Sequence, residues 1–117
     1  KKDIIVTAGG DNVSPAKIEN LLTNCEAIDQ CIVYGEGKNF LSALIVPAKD
    51  YKGNKNKILE MLNKINENLT LVEKVKKIHL IDENFSIENG LLTPTMKVKR
   101  NKVIEKYKNI LENIYKK

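Results

Sequence analysis

Two apolar runs, residues 27–34 and 40–46, flank the polar stretch Gly35-Glu36-Gly37-Lys38-Asn39. Each run has the length of a strand, is rich in β-branched and large apolar residues, and is bounded by turn-forming residues, so both read as buried strands. The short polar turn between them predicts an antiparallel hairpin. Pro47 ends the second strand, because proline has no N–H for the ladder. A hairpin this apolar has to be covered, and the remaining segments must supply the cover.

Those segments carry the expected periodicities. Ile4-Ile5-Val6-Thr7 reads as a short strand, and Ala8-Gly9-Gly10-Asp11-Asn12 is turn chemistry that tolerates positive φ. Ser14-Pro15 is an N-cap followed by a favoured first helical residue, so a helix is expected over Pro15–Thr23 with Ile18, Leu21 and Leu22 on one face. Ile58, Leu59, Leu62, Ile65 and Leu69 place a second helix over residues 55–69. A short strand is expected over residues 78–81. Residues 85–99 show no sustained period and contain Gly90 and Pro94, so an ordered loop is expected there. From Asn101 onward, Val103, Ile104, Tyr107, Ile110, Leu111, Ile114 and Tyr115 predict one amphipathic C-terminal helix. The fold class is α+β: a small sheet with a leading β-hairpin and helices packed on it, in one domain over residues 1–117.

Composition narrows the class of protein. A chain of 117 residues with 42% hydrophobic side chains can bury a core without disulfides or metal. Its apolar runs, such as Leu41–Pro47, fall well short of the ~18–20 residues that span a bilayer. Lys1-Lys2-Asp3 leads into no signal-like apolar stretch. Cys25 and Cys31, with a single histidine, do not form a zinc pattern, and a reduced, cytoplasmic protein is expected. The formal charge of +5 is uneven. Residues 94–117 hold Lys97, Lys99, Arg100, Lys102, Lys106, Lys108, Lys116 and Lys117 against only Glu105 and Glu112. A basic tail can meet nucleic acid, acidic lipid or a phosphorylated small molecule, or simply be a solvated face.

The chemistry-bearing motifs are few. No GxxxxGK[ST] is present, and Gly9-Gly10 lacks dinucleotide-fold spacing. His79 alternates with Ile78 and Leu80 and is expected to point away from the core, without a catalytic role. The tyrosines and phenylalanines fall mostly on core stripes rather than on a base-stacking platform. Two segments stand out. One runs from Lys1 through Ile4-Ile5-Val6-Thr7-Ala8-Gly9-Gly10-Asp11-Asn12-Val13-Ser14-Pro15 to Ile18-Glu19. The other is Phe85-Ser86-Ile87-Glu88-Asn89-Gly90-Leu91-Leu92-Thr93-Pro94-Thr95-Met96-Lys97-Val98-Lys99-Arg100. Thr93-Pro94-Thr95 makes a non-helical platform, since Pro94 fixes its own φ and pushes Thr93 towards extended backbone. Lys97 follows directly, an ammonium carried by a loop that can advance to a phosphate and withdraw.

These two segments resemble the C-terminal domain of the adenylate-forming enzyme superfamily, and within it the long-chain fatty acid–CoA ligases. The first is similar to the family's hinge and hairpin motif and the second to its last motif. Residues 35–45 and 103–107 are also similar to long-chain ligases, while residues 48–76 are the least diagnostic. The resemblance implies a mobile lid domain of an enzyme that adenylates a fatty acid with ATP and passes the acyl group to CoA. It implies that Lys97 is the adenylation lysine, that Lys2 is the hinge residue, and that Gly9 and Gly10 line the pantetheine channel. It implies CoA phosphates near Lys99, Arg100 and Lys102. ATP, fatty acid and CoA would meet the domain at its interface with an N-terminal adenylation domain, which would also hold Mg²⁺; no metal is expected on these residues. The chain begins at about the hinge position, as an excised C-terminal domain would, and is expected to be inactive alone. A cytoplasmic location is expected, with peripheral membrane contact of the parent enzyme and no nucleic acid. Two alternatives stand beside this reading. One is a stand-alone basic module that binds nucleic acid or acidic membrane through residues 97–117. The other is the C-terminal domain of another adenylate-forming enzyme, such as a peptide-synthetase module.

Overall fold

The computed structural model describes residues 4–116. Its elements are β1 (Ile5–Val6), β2 (Asn12–Val13), α1 (Pro15–Thr23), β3 (Ile28–Tyr34), β4 (Leu41–Pro47), α2 (Lys55–Asn66), β5 (Val75–Leu80), α3 (Arg100–Lys106) and α4 (Lys108–Ile114). The expected buried hairpin forms: β3 and β4 pair antiparallel, with Cys31 opposite Ile45 and Val33 opposite Ala43. All seven residues of β4 are buried, as befits a central strand covered on both faces.

The third strand differs from expectation. It begins at Val75 rather than at residue 78 and runs parallel to β4, with Ile78 opposite Ala43. Parallel neighbours need a crossover, and α2 supplies it. The Val75-Lys76-Lys77 start hides this strand in the sequence, because β5 is an edge strand that carries lysines where a central one carries apolar residues. Helix α2 also stops three residues early. Asn66, its last residue, clasps β5 with its side chain: Nδ2 donates to the Val75 carbonyl at 2.9 Å and Oδ1 accepts from the Val75 N–H at 3.0 Å. Helix α1 has the expected bounds with Pro15 in its first turn, but Ser14 makes no side-chain cap bond.

Alternate side chains of the sheet feed two cores. Cys31, Val33, Ala43 and Ile45 face one side, where Ile18 and Leu22 of α1 and Ile58 and Leu62 of α2 cover them, together with Ile5 and Val13. Ile32, Leu44 and Val46 face the other, under Phe85, Leu91, Leu92, Val103, Tyr107 and Leu111. The C-terminal stripe is therefore core-facing, as its period predicts. It is two helices rather than one, broken at Tyr107, whose φ of −105° and ψ of 20° leave the helical region. Hydrogen bonds from Tyr107 N–H to Val103 and from Leu111 N–H to Tyr107 keep the stride of four across the break. The break redirects the chain end, so that the Tyr115 hydroxyl lies 2.9 Å from the Phe40 carbonyl and 2.9 Å from Ser42 Oγ.

The free edge of β3 is closed by side chains. Val33 N–H donates to Glu19 Oε2 at 2.8 Å, and Arg100 donates to the Val33 carbonyl through Nη2 and to Glu19 Oε2 through Nε at 3.1 Å. Further along the edge, Gln30 exchanges two bonds with the Phe85 backbone, at 3.1 and 2.7 Å. The pair is mostly buried, at 14% and 17% side-chain exposure for Arg100 and Glu19. Removing one partner of such a pair strands the other. Arg100→Met is therefore expected to lower the unfolding free energy by about 3–5 kcal/mol in urea denaturation. A loss below about 1 kcal/mol, the range of an exposed ion pair, would show that the clasp is a surface contact.

Candidate functional site

The two sequence segments singled out above fold into the same local structure. In the first, Thr7 N–H donates to the Asp11 carbonyl (3.0 Å), Gly10 N–H donates to the Thr7 carbonyl (2.9 Å), and Asp11 N–H donates to Thr7 Oγ1 (3.2 Å). In the second, Thr93 N–H donates to the Lys97 carbonyl (2.8 Å), Met96 N–H donates to the Thr93 carbonyl (2.8 Å), and Lys97 N–H donates to Thr93 Oγ1 (3.0 Å). Both are three-residue hairpin loops whose last loop residue is left-handed: Gly10 at φ 85° and Met96 at φ 66°. Pro94 stands at the turn position where its fixed φ is favoured. Lys97 is thus carried by a loop, as expected, and that loop is a closed turn. Its backbone is pinned on both sides by Thr93, and Leu92 pairs with Val98 just beyond.

The Lys97 side chain itself is exposed, with no hydrogen-bond or ion-pair partner among the described residues. It lines a groove of about 790 Å³ with Glu19 and Asn20 of α1 and Asp29, Gln30 and Cys31 at the start of β3. Burial and the nearby Glu19 push the Cys31 thiol well above its ordinary range, so it offers no thiolate there. The Gly9-Gly10 turn sits elsewhere. Ala8 N–H donates to the Lys38 carbonyl at 2.9 Å and Gly37 N–H to the Val6 carbonyl at 2.8 Å, which seats this turn on the β3–β4 connection. The two turns thus lie towards opposite ends of β3, a seven-residue strand on the order of 20 Å long. A Cβ on Gly10 would meet nothing within 4 Å, and one on Gly9 only Asp11 Oδ2 at 3.5 Å. Within this chain, then, the glycines wall no channel; a channel there needs a second surface. Lys2, matched to the hinge, lies outside the described residues.

The basic tail does not form one stripe. Arg100, expected near CoA phosphates, is engaged by Glu19 and the Val33 carbonyl, whereas Lys99 and Lys102 are exposed. Lys106 pairs with Glu83 at 2.6 Å, and together with the Tyr107 hydroxyl it holds the Glu83 carboxyl below the usual carboxylate range. Burial, followed by Glu83, pushes the Tyr107 phenol up to about 12. Lys116 joins Lys55, Lys76 and Lys77 along a groove between α2, β5 and α4, at the sheet edge opposite the Lys97 turn. No group of three or more His, Cys, Asp or Glu among the described residues could hold a metal ion.

Sequence reasoning singled out Lys97, Gly9 and Gly10 by resemblance but did not foresee the side-chain bonds of Thr7 and Thr93 or the Glu19–Arg100 clasp. The threonines carry a readable signal: a threonine four residues before the residue its Oγ1 holds, Asp11 or Lys97, with a left-handed residue just before that one. The clasp carries none, because its partners are 81 residues apart.

Comparison with known proteins identifies the family of the chain. The family described as AMP-binding enzyme C-terminal domain matches residues 2–117. The chain is 34% identical to the probable acyl-activating enzyme 16, chloroplastic, of Arabidopsis thaliana, over 98% of this chain and 19% of that protein. It is 35% identical to the long-chain-fatty-acid–CoA ligase FadD15 of Mycobacterium tuberculosis, over 100% of this chain and 23% of that protein. Among solved structures, the A-PCP didomain of a carboxylic acid reductase from Segniliparus rugosus, in complex with AMP, superposes with a TM-score of 0.89 at 27% identity, over 97% of this chain and 17% of that one. The chain thus spans about a fifth of the length of the relatives it matches. The match over residues 2–117 places it in one family: the chain belongs to the AMP-binding enzyme C-terminal domain family.

Proposed function

We propose that this chain is the lid domain of a long-chain fatty acid–CoA ligase. In such an enzyme an N-terminal domain holds ATP, Mg²⁺ and the acyl pocket, and the parent is a cytoplasmic protein. The observation that carries the reading is the placement of an unpartnered Lys97 ammonium and a bare Gly9-Gly10 turn towards opposite ends of β3. One rigid unit cannot aim both at a single reaction centre in one orientation, so two orientations serve two steps. In the first step a carboxylate oxygen of the fatty acid bonds to the α-phosphorus of ATP and pyrophosphate leaves. Negative charge crowds at the α-phosphate and carboxylate, and the Lys97 ammonium stabilises it. In the second step the CoA thiol loses its proton to solvent, its sulfur bonds to the acyl carbon, and the bond from that carbon to the phosphate oxygen breaks as AMP leaves. The glycine turn then forms one wall of the passage for the pantetheine arm, where backbone without side chains permits close approach.

A second reading, additional to the first, is favoured by the lysine groove. Lys55, Lys76, Lys77 and Lys116 line it with no carboxylate among the lining residues, and the neighbouring groove adds Lys38, which Glu112 engages at 2.9 Å. We propose that this face gives the parent peripheral contact with anionic membrane, each lysine near the surface contributing about 1 kcal/mol. Flotation of the chain with phosphatidylserine vesicles in low salt, and its loss in Lys76→Glu/Lys77→Glu, is the expected result. Equal flotation with phosphatidylcholine vesicles would remove this reading, and tighter binding to DNA than to vesicles would transfer the surface to nucleic acid.

The ligase reading is tested in the full-length protein that carries this domain, with separate assays for fatty-acid-dependent ATP–pyrophosphate exchange and for acyl transfer from preformed acyl-adenylate to CoA. Lys97→Ala is expected to slow exchange by about 10²–10³, the usual cost of removing one preorganised donor, with acyl transfer little changed. Acetylation of the same amine removes its charge and should act alike. Exchange within a few-fold of normal would exclude Lys97 from adenylation.

Gly9→Leu is the clean probe of the glycine turn. Gly10 is left-handed, so any side chain there is strained by about 1–2 kcal/mol whatever it faces. Gly9 is not left-handed, and its Cβ would make only an ordinary contact. Normal exchange and melting temperature with acyl transfer reduced tenfold or more is the expected outcome. Undiminished transfer would mean that the turn lines no passage.

A further inference from the structure

The two turns share more than an outline. In each, a threonine commits its N–H, its carbonyl and its Oγ1 to the same three partners, and the residue that Oγ1 holds lies four positions on: Asp11 for Thr7 and Lys97 for Thr93. The backbone bonds alone close the loop. The Oγ1 bond adds something else, because it fixes the peptide plane that leads into the fifth residue and so sets the direction of that residue's Cα–Cβ vector. For Lys97 this is the root of the long side chain that has to place an ammonium.

The Lys97 turn needs the latch more. Its left-handed position is held by Met96, an exposed side chain in a conformation that L-residues other than glycine, asparagine and aspartate seldom adopt. The Thr7 turn has Gly10 at that position, where the same φ carries no penalty. A hairpin whose own residue opposes its geometry opens more readily once a bond is lost. Thr93 Oγ1 is also 3.0 Å from Thr95 Oγ1, so the hydroxyl is held from within the loop as well.

We propose that Thr93 and Thr7 are positioning residues, each dedicated to one half-reaction: Thr93 sets the reach of Lys97 for adenylation, and Thr7 sets the Gly9-Gly10 wall for acyl transfer. This rests on the ligase reading above and adds to it a division of labour between two identical latches. An error of about 1 Å in placing a reacting group costs on the order of 10² in rate, so a loosened latch acts well before the domain unfolds.

The experiment uses the full-length protein that carries this domain, with both half-reactions and the melting temperature measured for Thr93→Val, Thr93→Ser, Thr7→Val and Thr7→Ser. Valine keeps the shape of threonine and removes the acceptor; serine keeps the acceptor. Thr93→Val is expected to lower pyrophosphate exchange tenfold or more with transfer within twofold of normal. Thr7→Val is expected to do the reverse, and both serine variants should restore the affected step. Either valine variant leaving both steps within twofold would overturn the proposal. So would a loss shared equally by both steps that tracks the melting temperature and is not rescued by serine. Thr93 lies on a surface turn, so its two variants decide the matter even if Thr7→Val does not fold. Lys97→Ala in the same assay separates the two levels of inference. Slow exchange in Lys97→Ala beside normal exchange in Thr93→Val sinks the latch alone, whereas normal exchange in Lys97→Ala sinks the ligase reading of Lys97.

Discussion

Glu19, Arg100 and the Val33 peptide form the joint on which the molecule is assembled. A strand at a sheet edge leaves backbone donors and acceptors that water or another chain would otherwise claim. Here the Val33 N–H and carbonyl, inside a fully buried residue, are claimed by a carboxylate from α1 and a guanidinium from the start of α3. The ion pair replaces a fourth strand. It also ties three regions that contact the sheet separately: the leading hairpin through α1, the β3–β4 core, and the Lys97 turn, whose last strand residues lead directly into Arg100. Arginine suits the position because its fork can address a carboxylate and a carbonyl at once while remaining charged.

From that joint the two turns acquire their places. The Gly9-Gly10 turn is carried by the segment that ends in α1, and it docks on the β3–β4 connection by two backbone hydrogen bonds. The Lys97 turn is carried by residues 85–99, which Gln30 anchors through the Phe85 backbone. Neither turn contains helix or sheet of any length, yet each is closed by three hydrogen bonds to one threonine.

Charge follows the same logic of placement. In the sequence the positive excess sits in residues 94–117, which invites a reading as a nucleic-acid or membrane tail. In the structure that excess divides. Arg100 and Lys106 are neutralised by Glu19 and Glu83, Lys97 stands alone at its turn, and Lys116 joins lysines of α2 and β5. Among the described residues this lysine-lined surface is thus assembled from segments far apart in the chain, at the edge opposite the Lys97 turn.

Local pattern was enough to reveal the β3–β4 hairpin, the bounds of α1 and the core-facing stripe of the last segment, since periodicity and turn chemistry act over a few residues; the roles of Lys97, Gly9 and Gly10 were implied only by resemblance to a family. It misplaced the start of β5, the end of α2 and the continuity of the last helix. Each of those errors has a long-range cause: Lys76 and Lys77 are tolerated because β5 is an edge, the Asn66 side chain at the end of α2 holds Val75, and the break at Tyr107 turns the chain end towards Phe40 and Ser42. The parallel pairing of β4 with β5, the clasp across 81 residues and the separation of the two turns along β3 were decided only by the tertiary structure. A sequence records which groups can bond, but their partners are chosen when packing brings distant backbone edges together and leaves each buried donor and acceptor one place to go.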